Sequence, residues 1–202
     1  MLRECIKIRS IHQLLLSRPS LIEPLFTQYA FDPNFDVCSD VFQSIRELLR
    51  KNKQIVSSAL RPSKPLYNQL FSWIYALLES ENYVITRIVL HLLGEFLIDK
   101  SNFEIMLHFI KSAENLKIFM VLLCSQYPSI QFDAFNVFKV RLRRGFEADI
   151  RRESGQISGM SNRQALVEFI GSLLPEKEEN DDVFAEEKKL VINVLHKMDD
   201  ES

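Results

Sequence analysis

Four histidines, three cysteines and a run of arginines are the side chains in this 202-residue sequence best suited to chemistry. His12, His91, His108 and His196 lie far apart, without the close His/Cys spacing of a metal site. There is no glycine-rich phosphate loop and no Gly-x-Ser-x-Gly turn. Adjacent acids such as Asp181 and Asp182 read as solvated charges rather than an acid–base pair, so catalytic residues are expected to be none. The more informative spacing is Tyr83, Arg87 and His91, at i, i+4 and i+8, which places all three on one stripe of a helix. Tyrosine and arginine are frequent interface anchors. The same residues equally suit a ring that covers the core and a charge that faces water. From 139 to 152, Lys139, Arg141, Arg143, Arg144, Arg151 and Arg152 outnumber Glu147 and Asp149. That excess suits an acidic peptide, phosphate or nucleic acid, or a solvated helix face.

The elements carrying these residues read as helices. Five glycines and seven prolines are about half the roughly 12% usual for the pair. Tight β-turns depend on both, which excludes a hairpin-rich fold. Four short helical cores recur: Met1–Ile6, Ser44–Leu49, Leu92–Leu97 and Val137–Leu142, at intervals of 43, 48 and 45 residues. Armadillo and HEAT repeats have periods of roughly 40–47 residues. Tyr83, Val84, Ile88, Leu90, Leu92 and Leu93 wrap most of a helix, as expected for one inside a stack. Ser80 is the expected N-cap of that helix. Further helices are expected over Leu66–Leu78, Phe103–Ile110 and Leu116–Cys124. The fold class is therefore all-α, an armadillo/HEAT-like solenoid over 1–175 with about four repeats. The first repeat is incomplete, since its copy begins at Met1 in mid-helix; a longer solenoid is expected.

Other classes are bounded by composition. Cys5, Cys38 and Cys124 are odd in number and dispersed, which suits reduced, core-packed thiols in an intracellular, cytoplasmic protein. The strictly apolar run Ile118–Cys124 is too short to span a bilayer. The N-terminus has neither the apolar core nor the cleavage site of a secretory signal. A net charge of −2, with only Phe146 interleaved among the arginines, disfavours nucleic acid. Residues 176–202 are expected to form an acidic loop, a short last helix over Leu190–Leu195 and a disordered tail.

Longer motifs carry a family resemblance. Ser80–Val84, Leu92–Glu95, Asn102-Phe103, Glu114–Lys117, Ile130–Phe132 and Ala134–Val140 resemble the calcium-binding protein 39-like scaffolds, also called the mouse protein twenty-five family. Met1–Ile6 and Phe35-Asp36 with Ser39-Asp40 fit as well. The likeness weakens over 141–163 and returns at Leu166–Phe169 and Phe184.

The resemblance implies a non-catalytic horseshoe of helical repeats that binds and activates sterile-twenty-type kinases or pseudokinases. It places signalling and, in fungi, cell morphogenesis among the expected roles. It also implies that family members have further helices before the position matching Met1. A concave kinase-binding face would include Phe35, Tyr83, Arg87 and His91, where the family usually has lysine at the last position. A second site, a pocket for a Trp-Glu-Phe tail, would include Met120, with basic groups from the next repeat. Despite the family name, no EF-hand loop is present, so neither metal nor cofactor is expected. The alternatives are a passive adaptor that holds the tail without activating, and a nucleic-acid-associated solenoid using the 139–152 arginines.

Overall fold

The computed structural model describes residues 1–150 and 163–197. Among them the regular elements are all helical. None of these helices is long and apolar enough to cross a membrane. The chain divides into two compact units, 1–106 and 107–202.

The first unit contains α1 (Leu2–Lys7), α2 (Arg9–Ser17), α3 (Glu23–Thr27), α4 (Phe35–Arg50), α5 (Lys53–Ala59), α6 (Pro65–Leu78) and α7 (Tyr83–Ile98). Its packing forms three columns. α4 contacts α1 and α7; α5 contacts α2 and the 3-10 turn Lys100–Asn102; α3 contacts α6. Three helices therefore recur per repeat, the armadillo arrangement. The first three short cores found in the sequence fall in α1, α4 and α7, the members of one column. Stacking buries Ile45, Leu48 and Leu49 of α4 and Leu92, Leu93, Phe96 and Leu97 of α7. Each such side chain is worth about 1.5–3 kcal/mol when fully buried. Between α3 and α6, the rings of Phe26 and Trp73 stack at 5.2 Å.

A polar knot joins the first two repeats. α4 is capped by Lys51, and Asn52 turns the chain with φ 46°, a left-handed conformation that asparagine tolerates. The Asn52 amide donates to the Ile6 carbonyl at 3.1 Å and meets His12 Nδ1 at 3.0 Å. His12, fully buried, has its Nε2 2.9 Å from the Leu48 carbonyl. A carbonyl only accepts, so Nε2 carries the proton and Nδ1 receives the Asn52 donor. The imidazole is held neutral: burial pushes its pKa down, and the Leu48 hydrogen bond opposes this only in part.

The second unit contains the end of α8 (Phe103–Lys111), then α9 (Ala113–Leu123), α10 (Pro128–Ile150), α11 (Arg163–Ser172), α12 (Pro175–Asn180) and α13 (Asp182–Lys197). α10 holds the fourth short core and packs against α9 and α13, while α13 also meets α11 and α12. Here the structure departs from the expected acidic loop and short last helix. Residues 175–180 are helical, and α13 is a 16-residue helix. Its acids do not stop it from packing, because they lie beside a buried face of Phe184, Lys188, Val191 and Leu195. Phe184 meets the rings of Phe132 and Phe135 of α10 at 5.7 and 5.2 Å. The tail at 199–202 and the divergent 151–162 stretch lie outside the described residues.

Lys188 is 1% exposed. Its ammonium donates to the Leu173 carbonyl at 2.8 Å and to the Glu178 carboxylate, tying α13 to the end of α11 and to α12. Nearby, Lys139 of α10 pairs with Glu187 at 2.6 Å. The cysteines also differ from the expected core packing. All three are free thiols, but Cys124 is exposed and Cys5 and Cys38 are half-buried.

Two outcomes test this packing. The depressed His12 pKa means the unfolded chain takes up a proton first as pH falls. His12 therefore contributes fully above about pH 6.5, and its contribution declines below that until the folded imidazole titrates. Urea unfolding should show stability falling as pH drops below about 6.5, with a flatter dependence in His12→Gln. Lys188→Met keeps the buried stem but strands the Leu173 carbonyl. It should cost about 1–3 kcal/mol by the same assay.

Candidate functional site

The stripe on α7 is set by how that helix begins. Asn82, rather than the expected Ser80, is the N-cap: its side-chain oxygen accepts from the Val84 and Ile85 N–H groups at 3.0 and 3.3 Å. Ser80 instead finishes the preceding helix, donating its hydroxyl to the Leu77 carbonyl at 2.8 Å. Both residue types cap well, and the actual start two residues later makes Tyr83 the first helical residue. α4 starts alike. Asn34 accepts from Asp36 N–H at 2.9 Å, and Phe35 is the first helical residue. Asn–aromatic pairs thus open successive helices of one column.

Phe35 is 72% exposed, a large apolar side chain left in water. Tyr83 is half-buried, and Arg87 and His91 are exposed. The Arg87 guanidinium donates to the Tyr83 hydroxyl at 3.3 Å, one turn away, so the two heads are held together. Packing leaves Val84, Arg87, His91, Glu95 and Ile98 of α7 exposed, a single seam. Near its far end Glu95 receives Arg46 and Arg50 of α4 at 3.3 and 3.2 Å. Those residues lie at similar distances from their helix starts, so α4 and α7 run parallel and in register. Phe35 and Tyr83 consequently share one end of the α4–α7 pair. The Lys53 ammonium, 2.6 Å from Asp99, holds that carboxyl below the usual range just beyond the end of α7.

The structure brings Tyr83, Arg87 and His91 onto one seam and puts Phe35 on the neighbouring helix. Met120 belongs to the second unit, on α9, where it is half-buried. Its neighbours in sequence diverge. Phe119 is buried edge-on against Phe109 at 5.8 Å, and Val121 is 72% exposed. Met120 is thus at the margin between core and surface. The side chains of 141–152, expected to supply the basic wall of a tail pocket or a nucleic-acid patch, lie outside the described residues. Spacing along the chain does not reveal the arginine pair on Glu95, although Arg46 and Glu95 both fall in the repeated cores.

Comparison with known proteins settles the lineage. The model of the Mo25-like family matches residues 1–199. The chain belongs to the Mo25-like family. It is 36% identical over 196 residues to the calcium-binding protein 39-like proteins of Mus musculus and Homo sapiens, covering 96% of this chain and 55% of each relative. The Mo25-like protein of Schizosaccharomyces pombe is 31% identical over 198 residues, 98% of this chain and 57% of that protein. The chain thus spans about half the length of the curated relatives it matches. Within the family's all-α repeat fold, α4 and α7 are successive turns of the same structural unit.

One outcome tests the helix starts. Asn82→Ala removes an acceptor for two otherwise unpaired N–H groups. It should lower stability in chemical denaturation by about 1 kcal/mol, whereas Ser80→Ala, which leaves the cap in place, should cost less.

Proposed function

We propose that this chain is a non-catalytic scaffold that binds and allosterically activates a sterile-twenty-type protein kinase or pseudokinase in the cytoplasm. The observation carrying this reading is the seam of α7. An exposed arginine is held by a tyrosine at the same end of a helix pair as an exposed phenylalanine. Aromatic and arginine side chains with this mixture of apolar area and directed donors are the usual anchors of protein interfaces. Membership in the Mo25-like family supports a scaffold-type role. Signal transduction and cell morphogenesis are the processes in which such a scaffold would act.

The mechanism is a shift of population. A rigid surface that meets the active arrangement of the kinase lobes better than the inactive one favours the active state by that difference in affinity. Phe35, Tyr83, Arg87 and His91 form the kinase surface in this proposal. Met120 lines a pocket for a Trp-Glu-Phe-type tail, where a flexible thioether adapts to an inserted ring.

Titration of a sterile-twenty-type kinase domain against the chain tests it. Tyr83→Ala and Arg87→Ala should each weaken binding by about tenfold or more, and stimulation of kinase turnover should fall in parallel. Met120→Ala should weaken a Trp-Glu-Phe peptide while sparing the kinase-domain contact. Unchanged binding and stimulation in the first two variants would remove the α7 seam from the mechanism.

A further inference from the structure

A second surface of the first unit has no place in that scheme. Between α2, α5 and the start of α6 opens a groove of about 660 Å³, within the range of ligand-binding clefts. Leu16 and Leu66, both buried, and half-buried Ile55 form an apolar floor. The rim carries Arg9, Gln13, Gln54, Lys64 and Gln69, all exposed. No carboxylate lines the groove. Elsewhere in this unit Arg3, Lys7, Arg46, Arg50, Lys51, Lys53 and Arg61 each have a carboxylate within 4.0 Å, whereas among the described residues Arg18 and Lys100, outside the groove, do not. Among the described residues Arg9 and Lys64 form no such pair. The positive charge here is left uncompensated in a concavity, where it acts most strongly on an incoming anion.

We propose that this groove binds an extended, acidic peptide segment of a partner protein, with an apolar side chain on the floor and carboxylates toward Arg9 and Lys64. The three glutamines decide for a peptide. Each amide offers both a donor and an acceptor, as an extended backbone requires. Single-stranded nucleic acid would instead need aromatic rings for its bases, and the lining has none. This inference is independent of the kinase seam, because no groove residue belongs to α7.

Fluorescence anisotropy on the full chain tests it, using a short fluorescein-labelled peptide alternating glutamate and leucine. Saturable binding is expected. It should be about tenfold or more weaker for a glutamine–leucine counterpart, and similarly weaker in the double variant Arg9→Glu/Lys64→Glu. Gln69→Ala should weaken binding severalfold, which keeps the test decisive should charge reversal disturb folding. Arg87→Ala should bind as wild type, separating this groove from the kinase surface. Absence of saturable binding, equal affinity for the glutamine–leucine peptide, or affinity unmoved by the groove variants would overturn the proposal. So would stronger binding of a short single-stranded oligonucleotide at the same residues.

Discussion

A helix that is apolar around most of its circumference offers partners only what its neighbours leave uncovered. α7 is such a helix. Ile85, Val89, Leu92 and Phe96 are buried along one side and Leu90, Leu93 and Leu97 along another. What remains is the seam from Val84 through Arg87, His91 and Glu95 to Ile98. The stacking that stabilises the repeat therefore also selects the residues available for recognition. Register matters for the same reason. The Arg46 and Arg50 contacts to Glu95 accompany a parallel alignment of α4 and α7, which brings the Phe35 and Tyr83 ends of the two helices together. Being partly exposed, these ion pairs add little energy, and the apolar contact between the helices supplies most of it.

Buried polar groups play a second part where repeats join. The Asn52–His12 knot satisfies the Ile6 and Leu48 carbonyls across the first interface. In the second unit, Lys188 performs a related task with the Leu173 carbonyl and Glu178. Such groups specify one arrangement, because shifting a repeat leaves donors or acceptors buried without partners. Solenoid stacking by leucine and phenylalanine alone would tolerate slippage more readily.

The repeat was legible because each copy must present the same apolar face to its neighbours, and a physical period becomes a sequence period. The Tyr83–Arg87–His91 stripe was legible for the simpler reason that i, i+4 spacing fixes a helix face. The start of α7 was less so. Ser80 and Asn82 are both good caps, and sequence alone does not say which N–H groups will be left over. The acidic stretch after Pro175 packs as helix where a loop is expected, because a charge count does not reveal the angular position of each residue. In α13 the acids lie beside Phe184 and Val191, while Lys188, one of the charges, is itself buried.

An all-α repeat, its period, the family and the face carrying Tyr83 and Arg87 can be read from the order of residues alone. These are local or periodic properties, encoded within a helix or between equivalent copies. The left-handed turn at Asn52, the burial of His12 and Lys188, the clamp on Glu95 and the groove between α2, α5 and α6 emerge only once the helices pack. Each of these joins residues from different helices. Their meeting depends on the angle and register at which columns stack, quantities set by the sum of many weak apolar contacts and by no single spacing along the chain.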